Sequence, residues 1–200
     1  GRSMALDPLL RRPFSFFEIM KDANGRPTGF SILSKRVGPA TAQIYDARPG
    51  DRFSCLGPLG RPFTAVEPPA AAWLVAGGVG LAPFATLAES LRARGVPTTL
   101  FYGARTGAEL FRLDLFQALG VELVLATEDG STGTPGRVTA PLEQRLAGTP
   151  AAHHPDEPLR DAPACHPARG HPRPHPSGGA GRCAISDATG GPRLLAGCAG

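Results

Sequence analysis

No stretch of this 200-residue chain holds the roughly 18 consecutive apolar residues that a membrane-spanning helix requires, so no membrane span is expected. A basic start followed by an apolar centre, the mark of an export leader, is also missing. Cysteine is scarce at four residues, and none forms a pair within the apolar core segments, which fits the cytoplasm. Lys and Arg total 21 against 17 Asp and Glu, and this net charge of +4 forms no basic stripe, so no nucleic-acid partner is indicated.

Other absences are local. The ten Phe, two Tyr and one Trp all lie between Phe14 and Phe116, whereas all five His lie at or after His153. From Gly148 onward there is no Val, no Lys and no aromatic residue, but much Pro, Ala, Gly, Arg and His. So little bulky apolar surface cannot offset an ordering entropy of about 1–2 kcal/mol per residue. Residues 148–200 are therefore expected to form a low-complexity, disordered tail without a strand, and residues 1–147 the folded part.

That folded part has two rhythms. Phe14 to Ile19 and Gly29 to Val37 read as strands around an Asn24-Gly25 turn, with a third strand at Asp51 to Leu56. Three strands fit part of an antiparallel barrel and are too few to close one. After Pro68-Pro69 the pattern alternates. Trp73 to Ala76, Thr98 to Tyr102 and Val121 to Ala126 read as buried strands. Phe84, Leu87, Ala88 and Leu91 recur at helical spacing between Pro83 and Gly95. Helical stretches are also expected from Leu110 to Leu119 and through Val138, Leu142 and Leu146. Such alternation predicts a doubly wound parallel α/β sheet that binds ligands at the carboxyl ends of its strands. The expected division is 1–67 for a partial β-barrel, 70–147 for an incomplete α/β domain, and 148–200 for the tail.

Four short motifs bear on chemistry. Gly77-Gly78-Val79-Gly80-Leu81-Ala82-Pro83 joins a strand to a helix, where glycines let the backbone approach a phosphate. It ends in Pro and lacks the third Gly of the common dinucleotide fingerprint, and a purely structural turn explains it as well. Arg12-Pro13-Phe14-Ser15 sets a guanidinium that can clamp a diphosphate ahead of a strand, or is a surface cation before an ordinary strand. Gly38 and Thr41 can offer an N–H and a hydroxyl to phosphate, or form a helix cap. Gly57-Pro58-Leu59-Gly60 reads as a tight turn.

The order and spacing of these motifs resemble the ferredoxin reductase superfamily, in which a flavin barrel precedes a nicotinamide-binding α/β domain. Leu9 to Ser15, Phe101-Tyr102-Gly103-Ala104-Arg105 and Thr127-Glu128-Asp129-Gly130-Ser131 are most similar to one branch, the electron-transfer subunit of NAD-dependent dihydroorotate dehydrogenase. The resemblance covers about residues 6 to 146. It implies FAD at Arg12, Pro13, Phe14, Ser15, Gly38 and Thr41. It implies NAD(H) at Gly77, Gly78, Gly80 and Pro83, with Gly103, Arg105 and Asp129 close by. It also implies a [2Fe–2S] centre, a catalytic dihydroorotate dehydrogenase subunit as partner, and a role in pyrimidine biosynthesis.

The sequence departs from the family twice. The barrel's opening strands are expected to be missing before Arg12. In the tail, Cys165, Cys183 and Cys198 stand 18 and 15 residues apart, unlike a plant-type cluster site. A change of reading frame near residue 148 explains the tail best; a zinc site using Cys165, His166, His171, His175 and Cys183 and a true disordered extension are the alternatives. A flavin reductase subunit of a hydrogenase or glutamate synthase type, and a non-catalytic fragment without cofactor, are the competing functional readings.

Overall fold

A computed structural model of the chain describes residues 11–148, together with the backbone of 193–196. The antiparallel part is a hairpin of β1 (Ile19–Lys21) and β2 (Pro27–Phe30). Its turn forms where expected: Gly25 adopts φ +77°, and the Asp22 carboxylate accepts the N–H groups of Asn24 and Arg26 at 2.9 Å. Regular pairing is shorter than the sequence pattern predicts, but Phe17 N–H still donates to Ser31 O at 2.8 Å beyond the end of β1.

The strand expected at Asp51 to Leu56 does not form. This segment is exposed and forms no regular element, and among the described residues no neighbouring strand pairs with it. A strand has no internal hydrogen bonds of its own, so β propensity without a partner leaves no regular strand. A seven-residue helix, α1 (Pro39–Tyr45), follows Gly38.

The second part is a five-stranded parallel sheet in the order β6-β5-β4-β3-β7. It contains β3 (Ala72–Gly77), β4 (Thr98–Ala104), β5 (Glu122–Thr127), β6 (Thr134–Pro135) and β7 (Arg193–Ala196). The register runs Leu74 to Leu100 and Leu100 to Leu123. Helices α2 (Phe84–Ala93), α3 (Leu113–Ala118) and α4 (Thr139–Gly148) follow β3, β4 and β6. The periodic face of α2 is buried as its spacing predicts: Phe84, Ala88 and Leu91 pack with Leu74, Leu100 and Tyr102.

Strand β7 corrects the expectation that nothing past Thr149 forms a strand. It pairs in parallel with β3, Trp73 opposite Leu194 and Leu74 opposite Leu195. The physical reason is the free edge of β3, which leaves backbone groups unpaired until a strand is added there. The frame-change and zinc readings otherwise fall on 149–192 and 197–200, outside the described residues.

One core serves both parts, with Phe17 and Val66 in the same buried cluster as Leu74, Phe84 and Phe116. Phe63 also meets Phe84, ring centroids 5.6 Å apart. Among the described residues, no helix is long and apolar enough to cross a membrane.

Candidate functional site

The chain crosses from one side of the sheet to the other at β3. From β3 the strands proceed outward through β4, β5 and β6, whereas β7 lies on the opposite side. The carboxyl end of β3 is therefore a topological switch point, where the connections diverge and leave a crevice. Gly77 ends this strand and Gly78 follows at φ +51°, a left-handed conformation that favours glycine. A Cβ on either glycine would meet nothing within 4 Å, so both backbones face open space.

Helix α2 does not start directly after these glycines. A 3₁₀ turn over Gly78–Leu81 intervenes, with Gly80 and Leu81 buried, and Pro83 caps α2. Four residues thus separate Gly78 from Pro83, and the free N–H groups of α2 lie beyond the turn.

Tyr102, fully buried on β4, reaches this turn. Its hydroxyl donates to Gly78 O at 3.2 Å, accepts the Phe111 N–H at 3.3 Å and lies 3.4 Å from Glu109 O. Burial pushes its pKa up, partly countered by the Phe111 N–H and reinforced by the charge of Glu109. The carboxylate of Glu109 meets Lys35 Nζ at 2.9 Å and Arg105 Nη2 at 3.0 Å. These two cations hold its pKa down at about 2, with the Lys35 hydrogen bond the largest cause. Glu109 in turn raises the pKa of Arg105.

Lys35 stands three positions before Gly38. There Thr41 Oγ1 accepts the N–H of Val37 at 2.9 Å and of Gly38 at 3.1 Å, and donates to Gly38 O at 3.0 Å. The Thr41 hydroxyl is thus engaged in shaping the turn at the start of α1, the capping alternative that the sequence left open. Gly38 itself is extended, and a Cβ there would touch nothing within 4 Å.

The remaining predicted residues divide. Arg12, Pro13, Phe14 and Ser15 lie exposed in a segment without regular structure. It is Arg11, not Arg12, that is fixed locally, donating to Ser54 O at 2.6 Å and Ser54 Oγ at 3.0 Å. Gly103 has a packing reason to lack a side chain, because a Cβ there would lie 2.8 Å from Val138 Cβ. Asp129 accepts the Ser131 hydroxyl at 2.6 Å and its N–H at 3.0 Å, which lowers the Asp129 pKa. Ser131 Oγ then takes the Gly107 N–H at 2.8 Å, bracing the segment that carries Glu109.

Sequence reasoning missed the residues that join the two parts. Arg112 forms a two-pronged pair with Glu18, Nη1 to Oε2 at 3.0 Å and Nη2 to Oε1 at 3.2 Å, and its guanidinium carbon lies 5.7 Å from the Phe17 ring centroid. Glu109 had a sequence signal, its spacing of four from Arg105; the partners Lys35 and Glu18 had none. Among the described residues no cluster of three or more His, Cys, Asp or Glu is placed to hold a metal, and Cys55 is exposed and free.

A short antiparallel part shares a core with a parallel sheet that opens on a left-handed glycine, a fold similar to that of ferredoxin-reductase-like proteins. A solved NADH-dependent reduced ferredoxin-NADP oxidoreductase matches with TM-score 0.53 and 30% identity, over 68% of this chain and 53% of that one. In sequence the chain is more narrowly similar to the dihydroorotate dehydrogenase B (NAD(+)) electron transfer subunits. It is 43% identical over 141 residues to that of Bacillus caldolyticus, covering 70% of this chain and 53% of the relative. It is 41% identical over 145 residues to that of Lysinibacillus sphaericus, covering 72% and 54%. The chain spans about half the length of the curated relatives it matches. No protein-family model matches it.

Proposed function

We propose that the protein acts as the FAD-containing electron-transfer subunit of an NAD-dependent dihydroorotate dehydrogenase. It would pass electrons from dihydroorotate oxidation, carried out by a separate catalytic subunit in the cytoplasm, to NAD+ for pyrimidine synthesis. One observation carries the reading: the chain is 43% identical over 141 residues to such a subunit. Within the structure, Lys35, Glu109 and Tyr102 link the turn at Gly38 to the turn at Gly78. The division into a flavin part at 1–67 and a nicotinamide part at 70–147 belongs to the same proposal.

FAD, when bound, supplies two-electron exchange with a nicotinamide ring. The chain contributes binding and orientation. Arg12 has no hydrogen bond or ion pair among the described residues, so its guanidinium is available to a diphosphate. Pro13, Phe14 and Ser15 continue that exposed segment toward the flavin side. Thr41 shapes the turn, and Gly38 presents open backbone. On the nicotinamide side Gly77 and Gly78 present open backbone at the switch point, Gly80 and Pro83 continue the turn, and Arg105 and Asp129 stand at neighbouring strand ends. Gly103 serves this side through its packing against Val138. Cys55 is the lone cysteine among the described residues, whereas an iron–sulfur centre takes four thiolates.

The test combines the FAD-loaded full chain with a catalytic dihydroorotate dehydrogenase and measures NADH formed on adding dihydroorotate and NAD+. NADH formation above that of the catalytic subunit alone is expected. The Arg12→Ala variant is expected to retain FAD about tenfold more weakly, because a charge-assisted hydrogen bond is lost. NADH formation that is unaffected by omitting this chain would overturn the proposal.

A further inference from the structure

The segment after β4 receives every contact described above that joins the antiparallel part to the Gly78 side through charge. Lys35 reaches it at Glu109, and Glu18 reaches it at Arg112. Beneath it, the Tyr102 hydroxyl is the group that touches both this segment and the glycine turn, through Phe111 N–H and Gly78 O. A buried hydroxyl with a donor on one side and an acceptor on the other fixes their separation, since moving either leaves a polar group unsatisfied in the core.

Gly78 is also where such a tether matters most. Glycine has the widest backbone freedom of any residue, and at Gly78, which is left-handed, an added Cβ would meet nothing within 4 Å. Its carbonyl orientation determines which way the following N–H groups point. The Phe ring alone would fill the Tyr102 site but would leave the Gly78 carbonyl without this partner.

We propose that Tyr102 is a positioning residue that holds the Gly78 turn in its ligand-ready form and, through Glu109 and Lys35, couples that turn to the one at Gly38. The role rests on the proposed nicotinamide function for its purpose. Its physical content, the restraint of one turn by another, does not depend on any cofactor. Tyr102 acts through Gly78 and takes no part in chemistry itself.

The experiment is amide hydrogen exchange, read by mass spectrometry on the full chain without ligand, for wild type, Tyr102→Phe and Lys35→Met. In Tyr102→Phe, residues 77–82 are expected to exchange about three- to tenfold faster, the range one net hydrogen bond gives, with residues 139–148 unchanged. Lys35→Met, which alters an exposed side chain, is expected to speed the same segment to a smaller degree. If Tyr102→Phe does not fold, Lys35→Met carries the test alone. Unchanged exchange at 77–82 in either folded variant overturns the proposal. NADH oxidation by the same proteins loaded with FAD, with ferricyanide as electron acceptor, gives the second readout: Tyr102→Phe is expected to raise KM for NADH about three- to tenfold while kcat stays within about twofold. A wild type that binds no NADH counts against the function alone, since the exchange result stands without it. An equal loss of kcat and kcat/KM counts against a positioning role.

Discussion

Glu109 carries two cations on one partly exposed carboxylate, and its titration reports the contact between the two parts. Its pKa lies at about 2 against an ordinary 4.5. A carboxylate with a depressed folded pKa contributes stability that is fully present above the unfolded value and is lost as pH falls toward the folded one. The Lys35 and Arg105 contacts are therefore expected to persist at pH 4.5 and to fail only as pH approaches 2. Carbon-detected NMR of the Glu109 carboxyl should give a midpoint well below 4.5, moving toward 4.5 in Lys35→Met; an unshifted midpoint in the wild type would contradict the pairing. Gly103 makes the opposite kind of case, a residue whose value is steric. Gly103→Ala is expected to destabilise by about 1–3 kcal/mol through overpacking against Val138, measured by urea unfolding. Of the glycines quoted as nucleotide-binding, sequence reading could not tell Gly103 from Gly78, because the neighbour that decides between them, Val138, is supplied by another element.

Between residues, the elements divide by whether their information is local. Helix α2 was legible because Phe84, Leu87, Ala88 and Leu91 form one apolar stripe between Pro83 and Gly95, and the helix ends at Ala93 as that predicts. The expected helix from Leu110 to Leu119 was only partly right. A 3₁₀ turn at Gly107–Glu109 comes first, and α3 begins at Leu113 because Arg112 adopts φ 51°. Arginine carries no local signal for a left-handed backbone, and the pair with Glu18, 94 positions away, helps hold it there. The cost of that conformation is about 1–2 kcal/mol, which the roughly 0.2–1 kcal/mol of an exposed ion pair offsets in part. Arg112→Gly, which loses the pair but relieves the backbone, is accordingly expected to be nearly neutral. Arg112→Ala, which loses the pair and keeps the strain, should be about 1 kcal/mol less stable than Arg112→Gly. Equal unfolding midpoints for the two variants would contradict the left-handed assignment. The failed strand at Asp51 to Leu56 and the unexpected β7 teach the same lesson from opposite sides: pairing partners decide strands, and neither presence nor absence of a partner is written locally.

At the scale of the whole molecule, the arrangement joins two turns into one unit. The sheet order places Gly78 at a switch point, the shared core sets Phe17 against the cluster that holds Phe84, and ion pairs from Lys35 and Glu18 meet the segment after β4. The alternation of strands and helices made the sheet legible in the sequence, and the ordered motifs pointed to the right class. The linkage between the turns was not legible, since it depends on contacts spanning 74 and 94 positions. If the two turns serve one flavin and one nicotinamide in a common cleft, NADH must reach flavin held by this chain. The direct measurement is visible absorbance of the purified full chain, loaded with FAD and mixed with NADH without oxygen. The account predicts that the flavin absorption bleaches. Retained flavin whose absorption NADH leaves unchanged would contradict it.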